Sequence, residues 1–81
     1  MPHDPEMIRQ AAREVVVAVA KRTVRDDQCL VSTGIVDSLS LLNLIALLEK
    51  KLQIRIPTER VQPEDFDSVE TILETLERVA T

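Results

Sequence analysis

Residues 34–57 read GIVDSLSLLNLIALLEKKLQIRIP, and this stretch contains the helix that decides the fold. Its apolar residues recur at helical spacing, and a rotation of about 100° per residue places one broad arc of them on a single side. The arc consists of Leu41, Leu44, Ile45, Leu48 and Leu52. This spacing predicts a helix over residues 38–52 with its core face on the arc. Ile54 and Ile56 then point inward from an extended connector that Pro57 ends.

The predicted helix also has apolar residues outside its core face. The residues on the other side of the wheel are Leu39, Asn43, Ala46, Leu47, Lys50 and Lys51. Single exposed apolar side chains are ordinary, but a cluster of them beside a special residue indicates a docking surface.

The segment before this helix contains another helix and a long loop. Asp4 followed by Pro5 is a typical helix start, so we predict a first helix over residues 5–21. Residues 23–37 contain clusters of polar residues and the single glycine, which predicts a loop. Apolar residues that pin this loop onto the helices are Leu30, Val31, Ile35 and Val36.

Two more helical segments follow the connector. Residues 58–66 could hold a short helix anchored by Val61 and Phe66. A terminal helix comes next, capped by Asp67 or Ser68, with Glu70 at capping-box distance from Asp67. Its apolar stripe is Val69, Ile72, Leu73, Leu76 and Val79. We therefore expect an all-α fold, a small four-helix bundle of three main helices and one short helix, forming one domain over residues 1–81.

Composition excludes several classes of protein. The net charge of −4 comes without a basic stripe, which argues against nucleic-acid binding. No run is long enough to span a membrane, and the N-terminus lacks a secretory signal. Cys29 is the single cysteine, which precludes an internal disulfide and fits a reducing compartment. We expect a cytoplasmic protein, with Cys29 as a small half-buried residue.

Catalysis is not expected from these residues. His3 is the single histidine and lies almost at the chain start, so a serine nucleophile has no second histidine to act as its base. The sequence also lacks a Cys and His set for a metal and a glycine-rich phosphate loop.

Ser38 stands at the start of the central helix, where two roles are open to it. As an N-cap it would accept a hydrogen bond from the first turn, although Asp37 could do the same. As a chemical attachment point it would place an esterified phosphate against free backbone amides and the positive end of the helix dipole.

The stretch from Gly34 to Pro57 resembles the modification region of acyl and peptidyl carrier proteins. The matching residues are Gly34, Asp37, Ser38, Leu39, Leu48, Glu49, Ile54, Ile56 and Pro57. The similarity continues through PEDFDSVETI to the last helix and so covers nearly the whole chain.

This resemblance implies that Ser38 carries 4'-phosphopantetheine, attached by a separate phosphopantetheinyl transferase that uses coenzyme A. Asp37 would assist recognition by the transferase or magnesium placement. The thiol of the arm would hold cargo as a thioester while partner enzymes perform the chemistry, and Leu39 matches a position with which carrier families dock.

The charge of this chain departs from that of fatty-acid carriers, whose second helix is strongly acidic. Residues 38–52 hold one acid and two lysines, whereas residues 59–77 hold seven acids and one arginine. Electrostatic complementarity sets association rate and partner choice, so the usual fatty-acid enzymes are not expected to bind. We predict docking through Leu39, Asn43, Ala46, Leu47 and Lys50.

The expected function is that of a stand-alone, monomeric carrier in a bacterial natural-product pathway. Its partners would be an adenylating ligase or acyltransferase and polyketide or nonribosomal peptide synthase enzymes. Two alternatives stay open: an acyl carrier protein of primary fatty-acid synthesis, and a non-catalytic helical interaction module in which Ser38 is only a cap.

Overall fold

A computed structural model describes residues 4–79 of the chain, so His3 lies outside the described residues. Within this range the structure contains three α-helices and two 3₁₀ turns and no strand. The helices are α1 (Pro5–Ala20), α2 (Ser38–Leu52) and α3 (Val69–Val79), and the turns are Thr58–Arg60 and Pro63–Phe66. The predicted all-α class is confirmed.

Helix α1 begins and ends at local signals that the sequence carries. The Oδ1 atom of Asp4 accepts a hydrogen bond from the Glu6 amide at 2.8 Å, and Pro5 occupies the first helical position. The helix ends one residue earlier than predicted, because Lys21 adopts a left-handed conformation and donates its amide to the Val17 carbonyl.

Helix α2 has the predicted bounds, and its core face packs against α1. Leu44, Ile45, Leu48 and Leu52 are buried, whereas Leu41 is half-buried at the edge of the core. At the C-terminal end, the Glu49 Oε2 atom accepts a hydrogen bond from the Ile56 amide at 2.7 Å. This contact folds the connector back, and Ile56 becomes buried as predicted.

The short helix predicted over residues 58–66 is replaced by the two 3₁₀ turns. Val61 and Gln62 between them are extended, because a residue before a proline avoids the helical region and Pro63 has no amide to donate. The predicted anchors are present, with Phe66 fully buried and Val61 half-buried against the core.

The predicted capping box of α3, formed by Asp67 and Glu70, is wrong. Ser68 caps the helix instead: its Oγ atom accepts from the Thr71 amide at 3.1 Å, and its own amide donates to Thr71 Oγ1 at 2.8 Å. The Asp67 side chain turns away from α3 and binds the loop before α2. Buried residues of α3 are Val69, Ile72, Thr75, Leu76 and Val79.

The long loop between α1 and α2 is tied down along its length. Leu30 and Val36 are buried in the core, and Val31 and Ile35 are half-buried. The expectation of a half-buried Cys29 is wrong, because its side chain is exposed while its carbonyl accepts a hydrogen bond from Thr33 Oγ1. No helix within residues 4–79 combines the length and the apolar character that crossing a bilayer requires.

Candidate functional site

Ser38 is the first residue of α2, and the residue before it provides the cap. Asp37 is extended, and its Oδ1 atom accepts a hydrogen bond from the Ser40 amide at 2.8 Å. The interpretation of Ser38 as the N-cap is therefore wrong. The carboxylate satisfies the amide that a capping hydroxyl would have bound.

The Asp37 carboxylate is held in its ionised form. Hydrogen bonds from the backbone amide and hydroxyl of Ser40 lower the pKa of Asp37 below its ordinary value of 3.8, although burial opposes them. The side chain remains exposed beside Ser38. A fixed negative charge with open coordination sites thus adjoins the serine.

The Ser38 hydroxyl is exposed and makes no hydrogen bond to any residue in the described range 4–79. The first hydrogen bond of the helix runs from the Leu41 amide to the Asp37 carbonyl at 2.8 Å. The amides of Ser38 and Leu39 precede it, so they have no carbonyl of the helix to bind. An anionic ester on Ser38 would meet these two donors and the positive end of the helix dipole.

The chain reaches Ser38 through a closed turn. The Val36 amide donates to the Leu30 carbonyl at 2.9 Å, and both side chains at this closure are in the core. Gly34 lies at the exposed tip with φ of +83°, a conformation that favours glycine. Segment 30–36 is therefore a defined loop, and we call it the entry loop.

Asp67 holds the entry loop from the far side. Its Oδ1 atom accepts hydrogen bonds from the amides of Leu30, Val31 and Ser32, at 3.0, 2.7 and 2.9 Å. Its Oδ2 atom accepts from the Ser32 hydroxyl at 3.0 Å. Sequence reasoning missed this role because the partners lie 35 to 37 residues away, where no local spacing rule applies.

Burial and hydrogen bonding shift the pKa of Asp67 in opposite directions. Burial raises the pKa, but the hydrogen bonds from the amide and hydroxyl of Ser32 and from the Val31 and Leu30 amides outweigh it. The net result is a pKa below the ordinary value of 3.8, so the carboxylate is charged at neutral pH.

The exposed face of α2 has an apolar stripe next to Ser38. Leu39 is 78% exposed and Leu42 is 62% exposed, and both lie in the first turns of the helix. Ala46 is exposed one turn further on, with Asn43 and Lys50 also exposed beside it. We call these five residues the α2 outer face.

Two residues on this face differ from the sequence prediction. Leu47 is half-buried and packs against the core, so it contributes little to the outer face. Leu42 takes its place, and the sequence prediction did not include it. The signal was present in the spacing, since Leu39, Leu42 and Ala46 are separated by three and four residues.

The charged groups of α2 are not all directed outward. Lys51 forms an ion pair with Glu14 of α1, with 2.8 Å between Nζ and Oε1. Glu49 is engaged by the Ile56 amide at the end of the helix. Lys50, exposed on the outer face, therefore gives that face a positive character.

A groove of about 660 Å³ lies between α1 and the C-terminal end of α2. Met7, Ala11 and Leu52 form its apolar part, and the Glu14–Lys51 pair lies along it. Because Leu52 is the last residue of α2 and Ser38 the first, the groove is separated from the serine by the length of the helix.

Comparison with known proteins gives one family. The family described as phosphopantetheine attachment site matches residues 8–79, which is nearly the whole chain. No curated protein matches the chain.

Proposed function

Because this chain belongs to the phosphopantetheine attachment-site family, whose members hold 4'-phosphopantetheine covalently on a serine, we propose that Ser38 is the serine that carries the arm. Carrier domains of this family are generally non-catalytic and act with modifying and synthase enzymes. In this proposal the chain tethers an acyl or aminoacyl group and presents it to such partners.

One observation carries the choice of Ser38: its hydroxyl is exposed at the first position of α2 while Asp37 takes the capping role. A capping serine would need its oxygen for the helix and would have to release it on modification. Here the hydroxyl can be esterified without removing a hydrogen bond from the fold.

The surroundings fit the phosphodiester that such an attachment creates. In the loading step the Ser38 Oγ atom forms a bond to phosphorus and the pyrophosphate linkage of coenzyme A breaks. Adenosine 3',5'-bisphosphate leaves, and the transferase takes the hydroxyl proton. The amides of Ser38 and Leu39 favour the anionic product, and Asp37 would assist magnesium placement or recognition by the transferase.

The bound arm supplies a thiol that holds cargo as a thioester. The residues of this chain place and present it: α2 fixes the attachment point, and the outer face offers an apolar contact surface to partners. Leu39 and Leu42 supply the apolar area, while Asn43 can hydrogen-bond and Lys50 can pair with an acid.

We infer that the partners belong to a dedicated natural-product pathway rather than to primary fatty-acid synthesis. The outer face carries Lys50 and no acid, so it suits an apolar partner surface with a carboxylate. The partners proposed are an adenylating ligase or acyltransferase and polyketide or nonribosomal peptide synthase enzymes. A fatty-acid carrier shares Ser38 and differs in partners and cargo.

The attachment is tested by intact-mass measurement. The apo chain is incubated with a promiscuous phosphopantetheinyl transferase and coenzyme A, and a gain of one phosphopantetheine group is expected. Ser38→Ala should abolish the gain, whereas Ser40→Ala, on the same helix turn, should still be modified. An unmodified wild-type chain would rule out the carrier function and leave the helical interaction module.

The docking face is tested by reversing the charge of two neighbouring lysines, of which Lys50 lies on the outer face and Lys51 pairs with α1. Lys50→Glu is expected to slow transfer with the cognate partner, mainly through a higher KM that depends on salt. Lys51→Glu should leave transfer unchanged, because Lys51 faces Glu14 of α1. Equal effects of both variants, or none of either, would contradict the proposed face.

The cargo class is tested by competitive loading. The holo chain is offered amino acids with adenylating ligases and malonyl units with acyltransferases. Loading only by the malonyl transferase of fatty-acid synthesis would contradict the dedicated pathway.

A further inference from the structure

We propose that Asp67 is a positioning residue for the loading of Ser38, acting by holding the entry loop in the conformation that the transferase recognises. The inference rests on the proposed attachment at Ser38. It concerns a residue 29 positions further along the chain, at the start of another helix.

The contact between Asp67 and the entry loop is unusually complete for one side chain. Its two oxygens accept three consecutive backbone amides and one hydroxyl, all within 3.0 Å. The Asp67 carbonyl also accepts from the Leu30 amide at 2.6 Å. Charge-assisted hydrogen bonds of this kind are stronger than neutral ones, so the carboxylate charge itself stabilises the loop.

A short path leads from this contact to Ser38. Leu30 is fixed by Asp67 through its amide, and its carbonyl accepts the Val36 amide, which closes the entry loop. Val36 is followed directly by Asp37, the cap of α2, and then by Ser38. The tip residues Ser32, Thr33 and Gly34 are exposed and precede Ser38 by four to six residues, so they are open to contact by an enzyme that binds this segment.

Weakening this contact should lower the fraction of molecules whose entry loop is in place. An enzyme that binds only the ordered form then shows an apparent affinity reduced by that fraction. The chemistry in the bound complex is unaffected, because binding selects the ordered loop. A loop effect therefore raises KM and spares kcat.

The decisive variant is Asp67→Asn, which keeps one acceptor oxygen, loses the charge and replaces the Oδ2 acceptor by a donor. The KM of the apo chain for the transferase is expected to rise roughly five- to tenfold, with kcat within about twofold of wild type. Asp27→Asn is the matched control, since Asp27 is exposed in the same loop and its one ion pair within residues 4–79 is with Arg25. It should leave both constants unchanged.

Two further variants exclude a general loss of stability. Ile72→Val trims a fully buried α3 side chain that takes no part in the Asp67 hydrogen bonds, and it should not change KM. Ser32→Ala removes only the hydroxyl bond to Oδ2 and should raise KM by a smaller factor than Asp67→Asn. A KM that follows melting temperature across all four variants would overturn the inference, as would a fall in kcat alone.

Amide hydrogen exchange gives a readout that does not depend on loading. In Asp67→Asn the Leu30, Val31 and Ser32 amides should exchange at least tenfold faster than in the wild type, while α2 core amides keep their protection. Unchanged exchange at these amides would overturn the inference even if Ser38 is loaded normally. A wild type that is never modified would instead refute the proposed function.

Discussion

At the start of α2, Asp37 caps the helix and Ser38 offers an exposed hydroxyl, two roles that a single serine could otherwise combine. Asp37 stabilises the first turn through the Ser40 amide, and Ser38 keeps an unengaged hydroxyl. Because the cap is a carboxylate, its function does not change when the neighbouring hydroxyl is esterified. The Asp37 carboxylate thus stabilises the helix, and the Ser38 hydroxyl is available for the proposed modification.

Gly34 provides a prediction at the scale of one residue. Its φ of +83° is unfavourable for other residues, but an added Cβ would meet no atom of residues 4–79 within 4 Å. Gly34→Ala should therefore destabilise the protein by about 1 kcal/mol in urea unfolding, which is the cost of holding alanine in a left-handed backbone conformation. Gly34→Asn should cost less, because asparagine tolerates the left-handed region. An alanine variant of unchanged stability would contradict the assigned turn.

The helices differ in how their ends are fixed, and α3 has the most complete start. Ser68 and Thr71 satisfy each other's amides and lie against the core, while Glu70 remains exposed. The Glu70 amide donates to the Asp26 carbonyl, which ties the first turn of α3 to the loop after α1.

Ser68→Ala tests this start. The variant should lose about 1 kcal/mol of unfolding free energy, because the Thr71 amide loses its acceptor, the Ser68 Oγ atom. Glu70→Gln, which alters the residue at the rejected capping-box position, should change stability by no more than a few tenths of a kcal/mol. If chemical denaturation showed a larger loss of stability for Glu70→Gln than for Ser68→Ala, the capping box of Asp67 and Glu70 would be supported instead.

Local signals explain why α1 and α2 were predicted to within one residue. Asp4 with Pro5, and the apolar arc of α2, act over a few residues and need no tertiary context. The short helix expected over residues 58–66 is divided into two 3₁₀ turns, because Pro63 lies in its middle and has no amide to donate. The bounds of α1 and α2 depend on contacts between residues close in sequence, so they could be predicted. The structure of residues 58–66 could not be predicted from the same apolar pattern.

The candidate site was predictable to the same extent. Ser38, Asp37 and Leu39 follow from their place beside a helix start, and the structure puts all three on the surface. The role of Asp67 could not be predicted, because three amides of a distant loop define it. Leu47 was misplaced because its wheel position lies near the border of the core face.

Across the whole molecule, Asp26 joins three parts of the chain. Its carboxylate pairs with Arg9 and Arg13 of α1, each with 2.8 Å between nitrogen and oxygen, while its carbonyl accepts the Glu70 amide of α3. The hydrogen bond from Arg13 lowers the pKa of Asp26 to about 2; burial opposes this, and Arg9 adds to it.

This lowered pKa predicts how stability depends on pH. The contribution of Asp26 is fully present above its ordinary pKa of 3.8 and is lost as pH falls toward about 2. At pH 7 we expect Asp26→Asn to cost on the order of 1 to 2 kcal/mol, allowing for solvent screening of the arginines. Urea unfolding at pH 7 and pH 2 should show a much smaller difference between wild type and variant at the lower pH. A constant difference would mean that the charge is not responsible.

The exposed Cys29 sets a condition on every thiol-based experiment with this chain. Once an arm is attached, the molecule presents two reactive sulfurs, and maleimide or disulfide probes report their sum. Cross-linkers meant to trap a partner at the arm would also capture through Cys29, which directly precedes the entry loop. A Cys29→Ser background makes labelling stoichiometry a direct count of loaded arms, and the exposed side chain predicts that this background folds normally.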